Sequence, residues 1–481
     1  MKIISIKATG DNIIVKTDQK TNASLKVMSP ALREEKIYAV YEFKNENCIT
    51  LPRCINGKDG LYLKYLPDGE GAGEGIKYVN EYDFTSENEY DYPAAATKKG
   101  LQVAMVNDAV ELGIGHAALN INIGNCLLPH KTEDCITYLH EGREYYISKK
   151  EISAQDARIK ELSDHGIIIT MILLNAKSWA GADFPAEMRN VLMHPDYDDE
   201  GTISAFNVMT EAGTEAFCAW LEFIAGRYTR EDQKYGRIAG FIVSNEINSQ
   251  WVWGNAGEKT CGDYMYEYTS ALRMAYLAGI KMYKNMRTYI SLDHWWTGAH
   301  DETSPMRFYG SRFCLEYLNK YCAAEGDFWW NIAFHPYPEN LFFPDFWNDV
   351  TAQFNDDTKR VTFKNLEVLR DFLYEKQNMY GDIRRRVILS EQGFNSHFTP
   401  HSEILQACAY GRAYRAVMEI PEIDSFILHA HCDNRYEFGL NLGLWRREKE
   451  SSNMEAPKPI YWVFKQIDQI DEKGVYGWQR Y

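Results

Sequence analysis

The sequence predicts an α/β protein, a (β/α)8 TIM barrel over residues 98–481 preceded by a small β-sandwich-like domain over residues 1–97. Three observations predict it. The chain up to about residue 95 consists of short alternating apolar and polar segments cut by turn signals. Beyond PAAATKKG (93–100), near-continuously apolar runs alternate with amphipathic helical stretches, as parallel strands buried on both faces require. Eight such runs fall within about 380 residues, and this barrel type occupies roughly 200 to over 400.

Taken in order, KIISIKA, NIIVKT, ASLKVM, KIYAVYEF, CITL, GLYLKYL and IKYVNEY read as strands separated by turns such as GDN, NGKDG and PDGEGAGEG. Nothing among them suggests catalysis. A helix-like stretch from Gln102 to Leu112 leads into AALNINI (117–123), the first expected barrel strand. IIITMILL (167–174) follows a helical stretch at Glu151–His165, and ISAFNV (203–208), AGFIVS (239–244) and TYISLD (288–293) come next. NIAFHPY (331–337), RVILSE (386–391) and DSFILHAH (424–431) complete the set. Between them lie amphipathic segments such as EAFCAWLEFIAGRYTR (215–230) and KNLEVLRDFLYEKQN (364–378), and PIYWVFKQI (459–467) closes the chain's last helix. A doubly wound sheet is the rival architecture, but the dinucleotide glycine fingerprint and the Walker loop are both missing, so no cofactor is expected.

Composition narrows the function. At 45% hydrophobic and 25% charged residues the chain reads as an ordinary globular protein. Its 52 basic and 68 acidic residues leave a net charge of −16, which repels phosphate backbones and anionic lipids. Neither nucleic acid nor membrane is an expected partner. The start, MKIISIKATGDNIIVKTD, carries no signal-like apolar run, and no segment approaches the ~18 apolar residues of a membrane span, so a cytoplasmic location is expected. Ten cysteines without a CxxC pair read as reduced thiols. Twelve Trp and 32 Tyr supply flat rings that can stack on sugars as well as fill cores. Oligomeric state is not legible.

Barrel enzymes carry their sites at the C-terminal ends of the strands. The expected strand ends offer Asn120 and Asn122, then Asn175, then Ser244, Asn245 and Glu246. They continue with Asp293, His294 and Trp295, with His335 and Tyr337, and with Ser390 and Glu391; the last offers His429, His431 and Asp433, with Trp445 in the following loop. Two of these are glutamates on strands three apart around the ring. Such a pair can perform glycoside hydrolysis, one carboxyl protonating the leaving oxygen and the other attacking the anomeric carbon. Asn245, beside Glu246, is positioned to hydrogen-bond a sugar hydroxyl at C2. Trp251, Trp253, Trp295 and Trp445 follow strands on the same side and are candidates for sugar stacking, whereas Trp329 and Trp330 precede a strand and read as packing.

An Asn-Glu pair ending the fourth strand, His-x-Tyr ending the sixth, Glu closing the seventh and Trp after the eighth resemble the retaining glycoside hydrolases of clan A. The resemblance covers the barrel and implies Glu246 as acid/base and Glu391 as nucleophile. It also implies that Asn245 contacts substrate, that His335 or Tyr337 supports the nucleophile, and that Trp445 floors the subsite of the cleaved sugar. Asn120, Asn122, His294, Trp295, His429 and His431 complete the expected substrate-binding set. The implied substrate is an oligosaccharide or glycoside with an equatorial β-linkage or an equivalent α-L one. The whole chain also looks like a bacterial family known only as a domain of unknown function. It departs from the clan pattern in lacking an arginine in IIITMILLNAKSW, leaving Arg435 as one substitute. A second reading takes the alternating His429, His431 and Asp433 as ligands of a metal-dependent barrel hydrolase. No HExxH accompanies them, and no metal is expected. A third reading is a non-catalytic carbohydrate-binding protein.

Overall fold

The computed structural model describes residues 1–69, 73–179, 182–183, 185–397, 400–448 and 454–468. The final residues of the expected barrel domain, 469–481, lie outside the described residues. The N-terminal region forms several sheets. One has four strands in the order Glu46–Pro52, Asn12–Thr21, Ile3–Thr9, Glu81–Asp83, and another three in the order Ile37–Glu42, Ser24–Met28, Lys64–Asp68. Period-two alternation drives both: Ile6, Ala8, Ile13, Val15, Leu25 and Val27 are fully buried while Lys7, Thr9, Ile14, Lys16 and Lys26 are partly or fully exposed.

The barrel is closed and wholly parallel, with strands β1 (Lys99–Leu101), β2 (His116–Asn122), β3 (Ile168–Leu174), β4 (Gly240–Val243), β5 (Arg287–Asp293), β6 (Trp330–His335), β7 (Val387–Gln392) and β8 (Ile423–Leu428) in sequential order. β8 pairs back onto β1 through Phe426↔Lys99 and Leu428↔Leu101. The apolar runs are continuous because both faces are buried. Ala118, Ile172, Ile242, Tyr289, Ala333, Ile388 and Ile427 fill the interior. Their neighbours Leu119, Met171, Phe241, Ile290, Ile332, Leu389 and Phe426 pack outward in the main core. Gly240 admits β5, since a Cβ there would lie 2.8 Å from the Arg287 carbonyl oxygen.

The outer helices are α1 (Val106–Glu111), α2 (Lys149–Asp164), α3 (Glu211–Tyr228), α4 (Cys261–Met282), α5 (Ser311–Glu325), α6 (Glu367–Tyr374), α7 (Pro400–Met418) and α8 (Pro459–Gln466). Ser148, Thr210 and Thr260 cap α2, α3 and α4 by accepting backbone N–H bonds. No described helix is long and apolar enough to cross a membrane.

Two expectations are corrected. Residues 203–208 are not a barrel strand: Ile203 bridges Ala176, Ser204 bridges Asn255 and Phe206 bridges Met193, so the segment crosses the rim. The segment is buried almost throughout, Ile203, Ser204, Phe206, Asn207 and Val208 included, but it is buried over the strand ends. The missing strand is β1, three residues just ahead of the helix-like stretch, of which only Val106–Glu111 is helical. AALNINI and IIITMILL therefore belong to the second and third strands.

The N-terminal sheets are fastened to the barrel by a buried polar cluster. Glu222 on α3 accepts hydrogen bonds from Tyr62 (2.7 Å) and from Lys281 of α4 (2.6 Å), and lies 3.2 Å from His140 Nδ1. Lys281 also reaches Asp59 at 3.0 Å. Burial pushes the Glu222 carboxyl up, but His140 and Lys281 outweigh it and bring it down from 4.5 to about 2.

Candidate active site

The mouth of the barrel is built where apolar strands run out and the chain turns toward a helix. After β4 the backbone turns sharply: Ser244 (φ 67°) and Glu246 (φ 36°) are both left-handed, with Asn245 between them. The turn is held by the Ser244 hydroxyl donating to the Trp253 carbonyl (2.9 Å) and by the Glu246 N–H donating to the Ser291 hydroxyl (2.9 Å). The result aims the Glu246 carboxylate across the mouth. Its Oε1 lies 2.8 Å from His335 Nδ1 at the end of β6, and His335 Nε2 lies 3.0 Å from the Ser390 hydroxyl on β7. His335 is buried; burial lowers its pKa, but Glu246 and Glu391 outweigh this and the net shift is upward.

Glu391, on β7, is oriented from two sides. Tyr337 OH donates to Oε1 at 3.3 Å and Gln102 Nε2 donates to Oε2 at 3.2 Å. Gln102 is in turn tied to His429 Nδ1 (2.7 Å), whose Nε2 lies 3.1 Å from Glu437. Burial lowers the His429 pKa, but the bond to Glu437 and the charge of Glu391 raise it above the ordinary value. Tyr337 is held well above the usual phenol range, first by burial and then by Glu391. Glu246, His335 and Glu391 each offer one ligand-type atom, and these atoms all lie within 4.8 Å of one another. The trio could in principle hold a cation, but both imidazole nitrogens of His335 already face partners.

Asp293 ends β5 behind Glu246, receiving bonds from Asn248 (2.6 Å) and Ser249 (2.7 Å); burial and then Glu246 push its carboxyl up. His294 Nδ1 lies 3.0 Å from the Tyr337 carbonyl oxygen, and burial lowers its pKa. Trp295 is covered by Arg360, whose guanidinium sits 3.4 Å from the ring centre. Asn120 and Asn245 are partly buried, and their side chains make no hydrogen bond among the described residues. Asn122 is engaged elsewhere, donating to the Ala176 carbonyl and accepting from its N–H, both at 2.9 Å. Trp251 is buried under Arg307, and Trp330 stacks with Arg385 in the core.

His429, His431 and Asp433 do not converge. His431 Nε2 faces Asp108 of α1 at 2.7 Å while its Nδ1 accepts backbone N–H bonds from Ala104 and Met105; Asp433 pairs with Lys458 at 2.7 Å. Asp108 also accepts from Trp445 Nε1 (2.9 Å) and Tyr461 (2.9 Å), fixing the Trp445 ring to α1. Gln102 and Asp108 escaped sequence reasoning because the strand preceding them is only three residues long. A polar residue directly after KGL was the sole signal.

No curated protein matches the chain in sequence. Among solved structures, a family 39 glycoside hydrolase from the gut symbiont Bacteroides cellulosilyticus is similar over 96% of this chain and 82% of its own, at 13% identity and a TM-score of 0.46. A β-glucosidase from Pyrococcus furiosus is similar over 75% of this chain and 82% of its own, at 14% identity and a TM-score of 0.46. A β-glycosidase from Thermosphaera aggregans is similar over 75% and 83%, at 14% identity and a TM-score of 0.48. Likeness at that level says nothing about the reaction. A family model spans residues 91–477, and the chain belongs to that family, the family of unknown function DUF5722.

Proposed function

We propose that the chain is a retaining glycoside hydrolase acting on β-linked oligosaccharides or glycosides. The observation that supports this reading is that one carboxylate oxygen of Glu246 lies within 4.8 Å of one of Glu391 across the barrel mouth. Retaining enzymes keep their carboxyls about 5–5.5 Å apart, whereas inverting enzymes leave about 6.5–9.5 Å for a water between them.

In this mechanism Glu391 attacks the anomeric carbon while Glu246 protonates the departing glycosidic oxygen. A covalent glycosyl ester forms on Glu391. Glu246 then takes a proton from water, which displaces the ester and restores the original configuration. Tyr337 and Gln102 orient the attacking carboxylate, His335 holds Glu246 in line, and Asn245 is free to bind a sugar hydroxyl. Cytoplasmic action on imported sugars belongs to the same proposal and is supported by ten cysteines without a disulfide.

The test compares wild type, Glu246→Ala and Glu391→Ala on aryl β- and α-glycosides, with and without azide. On a β-substrate, azide should rescue Glu246→Ala to a β-glycosyl azide and Glu391→Ala to the inverted one. An active wild type whose rate neither substitution lowers would overturn the assignment.

A further inference from the structure

Beside the Glu246/Glu391 pair a cavity of about 500 Å³ opens between β1, β2 and the loop after β8, bounded by Gln102, Asn120, Gln155, Arg158, His429 and Arg447. Gln102 joins it to the pair, since the same side chain touches Glu391.

Two of these walls are cationic and uncompensated. Arg158 donates to the Val103 carbonyl, and its burial lowers its pKa with no carboxylate to oppose the effect. The Nε of Arg447 is buried without a hydrogen-bond partner. Among the described residues neither guanidinium forms an ion pair, although the chain carries a net charge of −16. The carboxylates nearby do not serve: Glu437 is taken by His429 (3.1 Å) and Asn434 (3.1 Å), and Glu151 on the same wall pairs with neither arginine. Both side chains are half-buried; a charge drawn partly out of water without a counter-charge is costly, and guanidinium forks match carboxylate and sulfate oxygens in pairs. The Oε1 of Gln155 is likewise buried and unpartnered, an acceptor suited to a sugar hydroxyl.

We propose that this cavity receives the acidic group of an anionic sugar, a uronate carboxylate or a sulfate ester, between Arg158 and Arg447. The proposal names the substrate class of the glycosidase site and rests on that reading for the word substrate. Glu391 then acts on a sugar whose acidic substituent, or whose acidic neighbour, is anchored on the β1–β2 side of the mouth.

The experiment has a binding arm and a turnover arm on the intact protein. Calorimetric titration compares glucuronate, glucose 6-sulfate and glucose; kcat/KM is measured on the aryl β-glucuronide, the 6-sulfated β-glucoside and the plain β-glucoside. At least tenfold tighter binding of one anionic sugar over glucose is expected, and which one it is separates carboxylate from sulfate. Arg447→Gln should abolish that preference. Because Arg158 also supports a backbone carbonyl, Arg158→Lys serves as the second variant and should weaken anionic sugars alone. Equal binding of all three sugars, or a preference surviving both substitutions, overturns the proposal. Neutral glycosides cleaved with retention but without anionic preference also overturn it and leave the glycosidase reading standing. Arginine-dependent binding of an anionic sugar with no turnover of any glycoside supports the cavity and sinks the glycosidase reading.

Discussion

Glu222→Gln tests how the N-terminal sheets are held to the barrel. In the folded chain this carboxyl sits at about 2 against an ordinary 4.5. At about 1.4 kcal/mol for each pH unit, that gap amounts to about 3 kcal/mol of stability at neutral pH. The figure agrees with the loss of about 3–5 kcal/mol seen when one partner of a buried ion pair is removed. Because the folded-state pKa is depressed, the contribution is complete above 4.5 and is lost as pH falls toward about 2. The difference between wild type and variant should therefore shrink to about 1 kcal/mol by pH 3. With about 2.1 cal/mol/K of unfolding entropy per residue, a chain of this length loses about 3 °C of Tm. Calorimetry at pH 7 reads the shift and denaturant titration reads its pH dependence. A variant melting within 1 °C of wild type at pH 7, or a gap that stays constant down to pH 3, would refute the reasoning.

Two further outcomes concern the mouth of the barrel. His335 has a raised pKa, so its charged form persists below that value and is lost as pH rises through it; His335→Asn should lower kcat/KM by about 10²-fold and shift the alkaline limb of the pH profile, because the bond and charge it offers Glu246 are gone, and an unmoved limb would refute that coupling. Treatment with a chelator should leave glycoside turnover intact, because the proposed mechanism runs on two carboxyls alone; loss of activity restored by a divalent cation would favour a metal at Glu246, His335 and Glu391 instead.

Much of this was legible in the sequence, for identifiable physical reasons. Glu246 and Glu391 each end an apolar run, and a charge at the end of a strand buried on both faces has only the mouth to occupy. β1 was not legible, since three residues cannot display a period. The 203–208 segment shows the converse: an apolar run reports that a segment is buried, not which surface buries it, and here the surface is the rim. Asn122 makes a related point. An amide at a strand end can bond neighbouring backbone as readily as ligand, and the two cases share one spelling.

The shortness of β1 bears on the order in which the molecule comes into being. The ring cannot close until residues 423–428 exist to pair with residues 99–101, a separation of more than 300 positions along the chain. Contacts so distant in sequence are among the slowest to form, and domains are made from the N-terminus onward. Gln102 leaves β1 directly for Glu391, so the orientation of that carboxylate is completed only when the last strand docks against the first. A chain released before that moment would display both glutamates yet lack the frame that aims one of them, and activity would appear with ring closure as its final event.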